Sequence, residues 1–195
     1  SVFVAGAAVQ WLRDGLHLID RSADVEELAS KAAESEPVIF VPALTGLGAP
    51  HWLPETRGAL LGLTRGTTAA DIARAALEGV ACQVADLIDA ARQDLTGGLT
   101  ELRVDGGMAR NGRFLQMQSD LLGMPIVASS RSEATALGAA FLAAIGAGLR
   151  KDESDFAAMR SNAARFEPRL TDAQRADRMR RWRRAVRAAA VFAGA

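Results

Sequence analysis

The turn that follows Leu102-Arg103-Val104 places the strongest constraint on the fold of this chain. The short apolar segment runs into Asp105, Gly106 and Gly107, and a helix-forming segment from Asn111 to Leu122 follows closely. Glycine lacks a Cβ atom, so the backbone can bend sharply there and another molecule can approach it closely. A strand, a glycine turn and a helix in this order are typical of an α/β fold, with the turn at the C-terminal edge of a sheet.

The glycine turn has two interpretations. In the first, the bare backbone and the N-terminus of the helix face a nucleotide, as they commonly do in α/β proteins. Asn111 supports this interpretation because an amide side chain both donates and accepts hydrogen bonds, which suits a purine edge or a ribose. In the second, the glycines only allow the chain to reverse direction between strand and helix. The local pattern alone leaves both interpretations open.

The rest of the chain predicts an alternation of strands with longer helices. Apolar residues with helical spacing follow short apolar runs that are bounded by proline and glycine. This pattern favours one α/β domain with a mixed, largely parallel sheet flanked by helices. We predict strands at 2–4, 37–42, 58–63, 102–104 and 125–128, and helices at 7–19, 22–35, 68–97, 111–122, 130–146 and 171–192. Residues 150–170 are predicted to be irregular or to form a short helix.

Composition excludes several classes of protein. The 195 residues are 49% hydrophobic, which suffices for a substantial core, and their formal net charge of zero gives no support to a general polyanion-binding role. Cys82 is the single cysteine, so no internal disulfide can form and a reducing cytoplasm is expected. No apolar run reaches membrane-spanning length, and no secretory signal is recognisable. Ser1 begins inside an apolar run, so we do not expect it to be the natural beginning of a domain.

Residue types that often carry chemistry are sparse in this chain. Cys82 and the two histidines, His17 and His51, lie too far apart in sequence to indicate a zinc site. Cys82 lies among helical apolar residues and is interpreted as a core residue, and His17 is expected on a helix face. Gly46-Leu47-Gly48 lacks the third glycine of a dinucleotide-binding fingerprint, and neither a P-loop nor a Gly-x-Ser-x-Gly elbow occurs. Counting residues does not exclude a Ser-His-Asp triad.

The arginine-rich segment at 171–192 also has two interpretations. It could bind nucleic acid or another anionic surface. Alternatively, an amphipathic helix could dock through Met179, Trp182, Val186 and Ala190 with its arginines facing outward. We favour docking because few aromatic residues lie between the arginines, and because Asp172 and Asp177 dilute the charge.

Several motifs together resemble the FGGY family of carbohydrate kinases. Residues 58–63, followed after a spacer by Asp71 to Glu78, look like the second signature of that family. Within the family, residues 42–52 (Pro-Ala-Leu-Thr-Gly-Leu-Gly-Ala-Pro-His-Trp) are similar to glycerol kinases in particular. The likeness covers nearly the whole chain, and it extends to three further segments at 7–14, 104–107 and 135–140.

This resemblance implies an actin-like, ribonuclease-H-like ATPase domain. Kinases of the family have two lobes, and residues 1–195 resemble most of the C-terminal, nucleotide-binding lobe, with 171–192 as a helix of the same domain. By the likeness, Gly107 and Asn111 match nucleotide-binding positions and Gly106 adjoins them. Ala136 to Ala140 would lie near the hinge between the lobes.

The implied reaction is the ATP-dependent phosphorylation of a polyol hydroxyl, with glycerol as the expected substrate and Mg²⁺ neutralising phosphate charge. In such kinases the N-terminal lobe supplies the phosphate loops, the polyol-binding residues and the aspartate base. The resemblance therefore assigns no catalytic residue and no metal ligand to this chain, and Asp105 does not receive the role of base. Alone, the chain is expected to be inactive.

Other functions remain open at this point. His51 and Leu53 stand where glycerol kinases often have Tyr and Asp, so another sugar or polyol such as xylulose remains a candidate substrate. A non-catalytic binding module is a further alternative. We expect a cytoplasmic homo-oligomer whose partners are ATP, the small-molecule substrate and the N-terminal lobe, and not nucleic acid or a membrane.

Overall fold

The computed structural model of the chain describes residues 2–33, 38–129, 134–152, 154 and 162–194. Helices and strands follow one another along these residues as in an α/β protein, which confirms the predicted fold class. The strands are β1 (Ile39–Val41), β2 (Ala59–Leu61), β3 (Leu102–Val104), β4 (Ile126–Ser129) and β5 (Asn162–Phe166). The helices are α1 (Gly6–Asp14), α2 (Asp24–Ser30), α3 (Ala69–Asp94), α4 (Gly112–Leu122), α5 (Ala134–Gly146) and α6 (Asp172–Phe192).

Helix α3 runs through the hydrophobic core. It begins at a capping box in which Thr68 Oγ1 accepts a hydrogen bond from the Asp71 N–H, and the Asp71 carboxylate accepts one from the Thr68 N–H. Hydrogen bonds from the Thr68 hydroxyl and N–H lower the pKa of the Asp71 carboxyl. Further along, Leu77 and Val80 are at most 1% exposed. Burial of this apolar side against α1, α2, β1 and α4 stabilises the fold.

The strands form two small sheets. In one, β1 pairs antiparallel with β2, and in the other β3 pairs parallel with β4, which pairs antiparallel with β5. The three-stranded sheet is therefore mixed, as predicted, whereas the two-stranded sheet is antiparallel. The described strands contain less parallel pairing than the alternation of elements indicated. In β4, Ile126, Val127 and Ala128 are all buried because the strand lies in the middle of its sheet.

Two segments differ in secondary structure from the prediction. The Val2–Val4 segment forms no strand, although Val4 is buried. Residues 162–166, predicted to be irregular or helical, form β5, because β4 offers this segment a pairing edge that the sequence pattern does not reveal. The first four residues of the helix predicted at 130–146 lie outside the described residues.

Helix α6 packs as the amphipathic interpretation predicted. Thr171 and Gln174 form a capping box at its start, and the predicted contact residues Met179, Trp182, Val186 and Ala190 are all buried. Some of its outward arginines lie near acids on α3: Arg183 Nη2 is 3.4 Å from Asp89 Oδ2. Neither α6 nor another helix of the described residues is long and apolar enough to cross a membrane.

Candidate functional site

The glycine turn lies between β3 and α4, at the C-terminal end of β3. Gly106 has φ +91° and ψ −174°, a conformation that side-chain-bearing residues rarely adopt. A short 3-10 helix, Gly107–Arg110, follows before α4 begins. The sequence analysis did not predict this element between the turn and the helix. Ala109 N–H donates to Gly106 O at 3.1 Å and Asn111 N–H donates to Met108 O at 3.1 Å. These bonds hold the turn in a defined shape.

Asn111 is the N-cap residue of α4. Its side-chain Oδ1 accepts a hydrogen bond from Phe114 N–H at 2.8 Å. A backbone N–H needs an acceptor, so the oxygen of the amide must face Phe114. The Nδ2 group then lies on the other side of the amide, where it can only donate. The structure thus gives Asn111 a structural role that the sequence interpretation did not include.

The surroundings of the two turn glycines are open. A Cβ atom added at Gly106 or Gly107 would meet no atom of the described structure within 4 Å. Positive φ requires glycine at 106, but neither backbone conformation nor packing requires it at 107. An approaching ligand or protein surface would explain a bare backbone at this position. The neighbouring Asp105 is exposed.

Glu26 is a neighbour of the N-terminus of α4 that the sequence did not point to. This residue of α2 is half-buried, and its Oε1 accepts a hydrogen bond from Arg113 N–H at 3.0 Å. The two partners are separated by 87 positions in the chain, so no local pattern could have predicted the contact. Glu26 thereby adds a negative charge to the N-terminus of α4.

A groove with a volume of about 1370 Å³ lies between α2, α3, α4 and α6. Its lining includes Gly112 and Arg113 at the start of α4, but not Gly106, Gly107 or Asn111. The turn is therefore not part of the lining of this groove. A site at the turn is an open surface of the chain rather than a closed pocket.

His51, Cys82 and His17 are the other residues that were considered for catalysis or metal binding. His51 Nε2 lies 3.1 Å from Asp86 Oδ2, and the indole Nε1–H of Trp182 donates to the same oxygen at 2.6 Å. Asp86 is only 5% exposed, so these partners satisfy a buried carboxylate. Cys82 is buried, as predicted, and burial raises the pKa of its thiol. His17 lies beyond the end of α1 with φ +53°, not on a helix face as predicted.

Helix α5 contains the small residues that were expected near a hinge. Ala136, Ala139 and Ala140 are exposed, and Leu142 is 70% exposed. No charged residue occurs between Ala134 and Gly146, so α5 presents an apolar surface to solvent. An exposed apolar surface is typical of a contact with another domain or another protein.

A metal site is not apparent in the part of the chain that the structure describes. No group of three or more His, Cys, Asp and Glu side chains lies close enough together there to hold a metal ion.

Comparison with known proteins identifies a family and several relatives. The family model for the C-terminal domain of the FGGY family of carbohydrate kinases matches residues 1–147. The chain is 53% identical over 186 residues to a glycerol kinase of Aromatoleum aromaticum, covering 95% of this chain and 38% of that protein. It is 50% identical over 195 residues to a glycerol kinase of Dechloromonas aromatica, covering 100% of this chain and 39% of that protein. The chain thus spans less than half the length of these curated relatives.

Solved structures show the same relationship. The glycerol kinase of Plasmodium falciparum, solved with ADP, is similar over 97% of this chain and 38% of its own, with 34% sequence identity and a TM-score of 0.86. A gluconate kinase from Lactobacillus acidophilus is similar over 99% of this chain and 40% of its own, with 25% identity and a TM-score of 0.82.

Proposed function

The chain belongs to the FGGY family of carbohydrate kinases, and on this basis we propose that it is the nucleotide-binding part of a kinase that phosphorylates glycerol with ATP. Identity of 53% to a glycerol kinase supports glycerol as the acceptor. The observation in the structure that carries the proposal is Gly107, a glycine with open surroundings at the end of β3 that its own fold does not require. A nucleotide approaching the backbone there would require it.

Gly106, Gly107 and Asn111 are the proposed contacts with the nucleotide. Gly106 and Gly107 let the ligand approach the backbone without a side chain in the way. Asn111 supplies Nδ2–H donors, which match acceptor atoms of a purine ring or a ribose. The bond from Phe114 N–H to Oδ1 fixes the amide in place, so this donor is positioned before the nucleotide arrives.

We propose that the apolar surface of α5 contacts an N-terminal lobe. The two glycerol kinases compared above are more than twice as long as the part that matches this chain, so they are long enough to contain such a lobe. Leu142 is 70% exposed and has no charged neighbours on α5, so its burial against another lobe would be favourable. Closure of two lobes on each other would exclude water from the reacting groups.

Phosphoryl transfer needs in-line positioning, neutralisation of phosphate charge and a base for the acceptor hydroxyl. Mg²⁺ supplies the charge neutralisation in such reactions. The described residues do not form a cluster that fits a metal ion, so we assign no metal ligand to them. The family resemblance places the base in the N-terminal lobe, so we assign no base to this chain either. Its contribution is to bind and orient the nucleotide.

The nucleotide site is tested with two substitutions at one residue. Asn111→Asp keeps an oxygen for the Phe114 N–H and removes the Nδ2 donor, whereas Asn111→Ala removes both. We expect both variants to weaken ADP binding by about tenfold, the value of one hydrogen bond to a ligand. Only Asn111→Ala should lower the free energy of unfolding, by about 1 kcal/mol, because it alone removes the cap. Titration calorimetry and urea unfolding measure the two effects, and unchanged ADP affinity in Asn111→Asp would contradict the assignment.

The activity is tested with the chain alone and in a fusion. We expect no glycerol phosphorylation by the 195 residues alone, and turnover when they replace the matching part of the Aromatoleum aromaticum glycerol kinase. A substrate panel of glycerol, xylulose and gluconate identifies the acceptor. Turnover by the chain alone would overturn the proposed division of roles. A folded fusion that binds ADP without turnover would favour a non-catalytic binding module.

A further inference from the structure

Asn111 is followed directly by Gly112, a pair in which a side chain and the backbone can react with each other. The backbone nitrogen of the second residue can attack the side-chain amide of the asparagine, and glycine carries no side chain to hinder the attack. Gly112 is also the first residue of α4, where a backbone N–H has no acceptor within the helix. Its N–H donates no hydrogen bond to any of the described residues, so no protein acceptor holds this nitrogen in place.

The fold slows this reaction but does not require the glycine. Asn111 has ψ +103°, so the Gly112 nitrogen lies away from the Asn111 side chain, and the backbone must rotate before a succinimide ring can close. The hydrogen bond from Phe114 N–H to Asn111 Oδ1 opposes the rotation, but the loss of one cap is worth only about a tenfold factor. A Cβ added at Gly112 would lie 3.6 Å from its nearest neighbour, Glu26 Oε1, so packing tolerates a side chain there.

We propose that Asn111 is a site of spontaneous deamidation, and that this modification ends its role in nucleotide binding. The Gly112 nitrogen loses its proton to water and forms a bond to Asn111 Cγ. The Cγ–Nδ2 bond breaks, and Nδ2 takes up a proton from water and leaves as ammonia. Water then opens the succinimide at either carbonyl, which yields aspartate or isoaspartate without any oxidation or reduction. The effect on binding rests on the proposed function of the turn, because both products lack the Nδ2 donor.

The two products differ in their effect on α4. Aspartate keeps an oxygen for the Phe114 N–H, and its negative charge interacts favourably with the N-terminus of the helix. Isoaspartate lengthens the backbone by one carbon atom, so its carboxylate no longer lies where the Asn111 cap lies. Both products therefore lose the contact with the nucleotide, and only isoaspartate also loses the cap.

The test follows the chain during incubation at mildly alkaline pH, where the Gly112 nitrogen loses its proton more readily. Mass spectrometry of the peptides measures the conversion of the two asparagines of the chain, Asn111 and Asn162. We expect Asn111 to convert faster, because alanine follows Asn162 and hinders the attack there. Titration calorimetry should show that ADP affinity of the converted chain falls about tenfold, as for one lost hydrogen bond. Asn111→Asp provides the reference for the aspartate product.

Gly112→Ala is the matched control, because it keeps Asn111, hinders the attack with a methyl group and creates no close contact. This variant should retain its ADP affinity throughout the incubation. Conversion of Asn111 no faster than that of Asn162, or equally fast in Gly112→Ala, would overturn the proposal and leave the nucleotide site intact. Full conversion with unchanged ADP affinity would instead overturn the contact between Asn111 and the nucleotide, and with it the effect of the modification on binding.

Discussion

Gly46 and Gly106 have nearly the same φ angle, +92° and +91°, but they lie in opposite surroundings. Gly46 is buried in the loop between β1 and β2, where an added Cβ would lie 2.6 Å from the carbonyl oxygen of Pro54. Around Gly106 and its neighbour Gly107, an added Cβ would meet no atom of the described residues within 4 Å. Two glycines with the same φ therefore differ in what requires the glycine.

The comparison separates three reasons for glycine at a position. Conformation requires it at Gly46 and at Gly106, because positive φ is strained for other residues. Packing is a second reason for glycine at Gly46, because an added Cβ would clash with Pro54. Neither reason applies to Gly107, so this is the position at which a binding role can be tested with the least disturbance of the fold.

The largest effect is expected from Gly46→Ala. The substitution adds backbone strain at positive φ and a clash with the Pro54 carbonyl, so we expect the free energy of unfolding to fall by about 3–5 kcal/mol. Urea unfolding measures the loss. Gly97→Ala is the matched control, because a Cβ there meets no atom within 4 Å in the part of the chain that the structure describes, and φ is not positive. A loss no larger than that of the control would break the distinction between packed and open glycines.

A smaller effect is expected from Gly106→Ala. Only the conformational penalty applies at this position, so the free energy of unfolding should fall by about 1–3 kcal/mol. The same urea experiment checks it. A loss equal to that of Gly46→Ala would mean that the space around the turn is not open in solution.

Much of the fold was predictable because it depends on local patterns. Strand β3 and the end of α4 at Leu122 were predicted to the residue, and Thr68 was placed correctly at the start of α3. Strand β5 was missed because Asn-Ala-Ala-Arg-Phe has no alternation and forms a strand only by pairing with β4. The local sequence indicates the intrinsic preference of a segment for helix or strand. Pairing at the edge of a sheet depends instead on a strand that is distant in the chain.

The candidate site shows the same limit. The glycine turn and Asn111 were recognised from the sequence. The sequence analysis counted Asn111 as part of the helix, so it did not predict that the Asn111 oxygen caps a helix that begins at Gly112. Glu26 contributes from 87 positions away, and the partnership of His51 with buried Asp86 spans 35 positions. Tertiary contacts of this kind decide which polar groups remain free for a ligand.

The smallest effect on stability, with a specific effect on binding, is expected from Gly107→Val. Because the site is open and φ is not positive, the free energy of unfolding should change by no more than about 0.5 kcal/mol. A valine side chain would occupy the space through which a nucleotide approaches the backbone, so ADP affinity should fall by about tenfold or more. Gly97→Val, in the segment between α3 and β3, controls for a general effect of replacing an open glycine. If Gly107→Val keeps full ADP affinity, the open glycine has no part in binding and the turn is a chain reversal only.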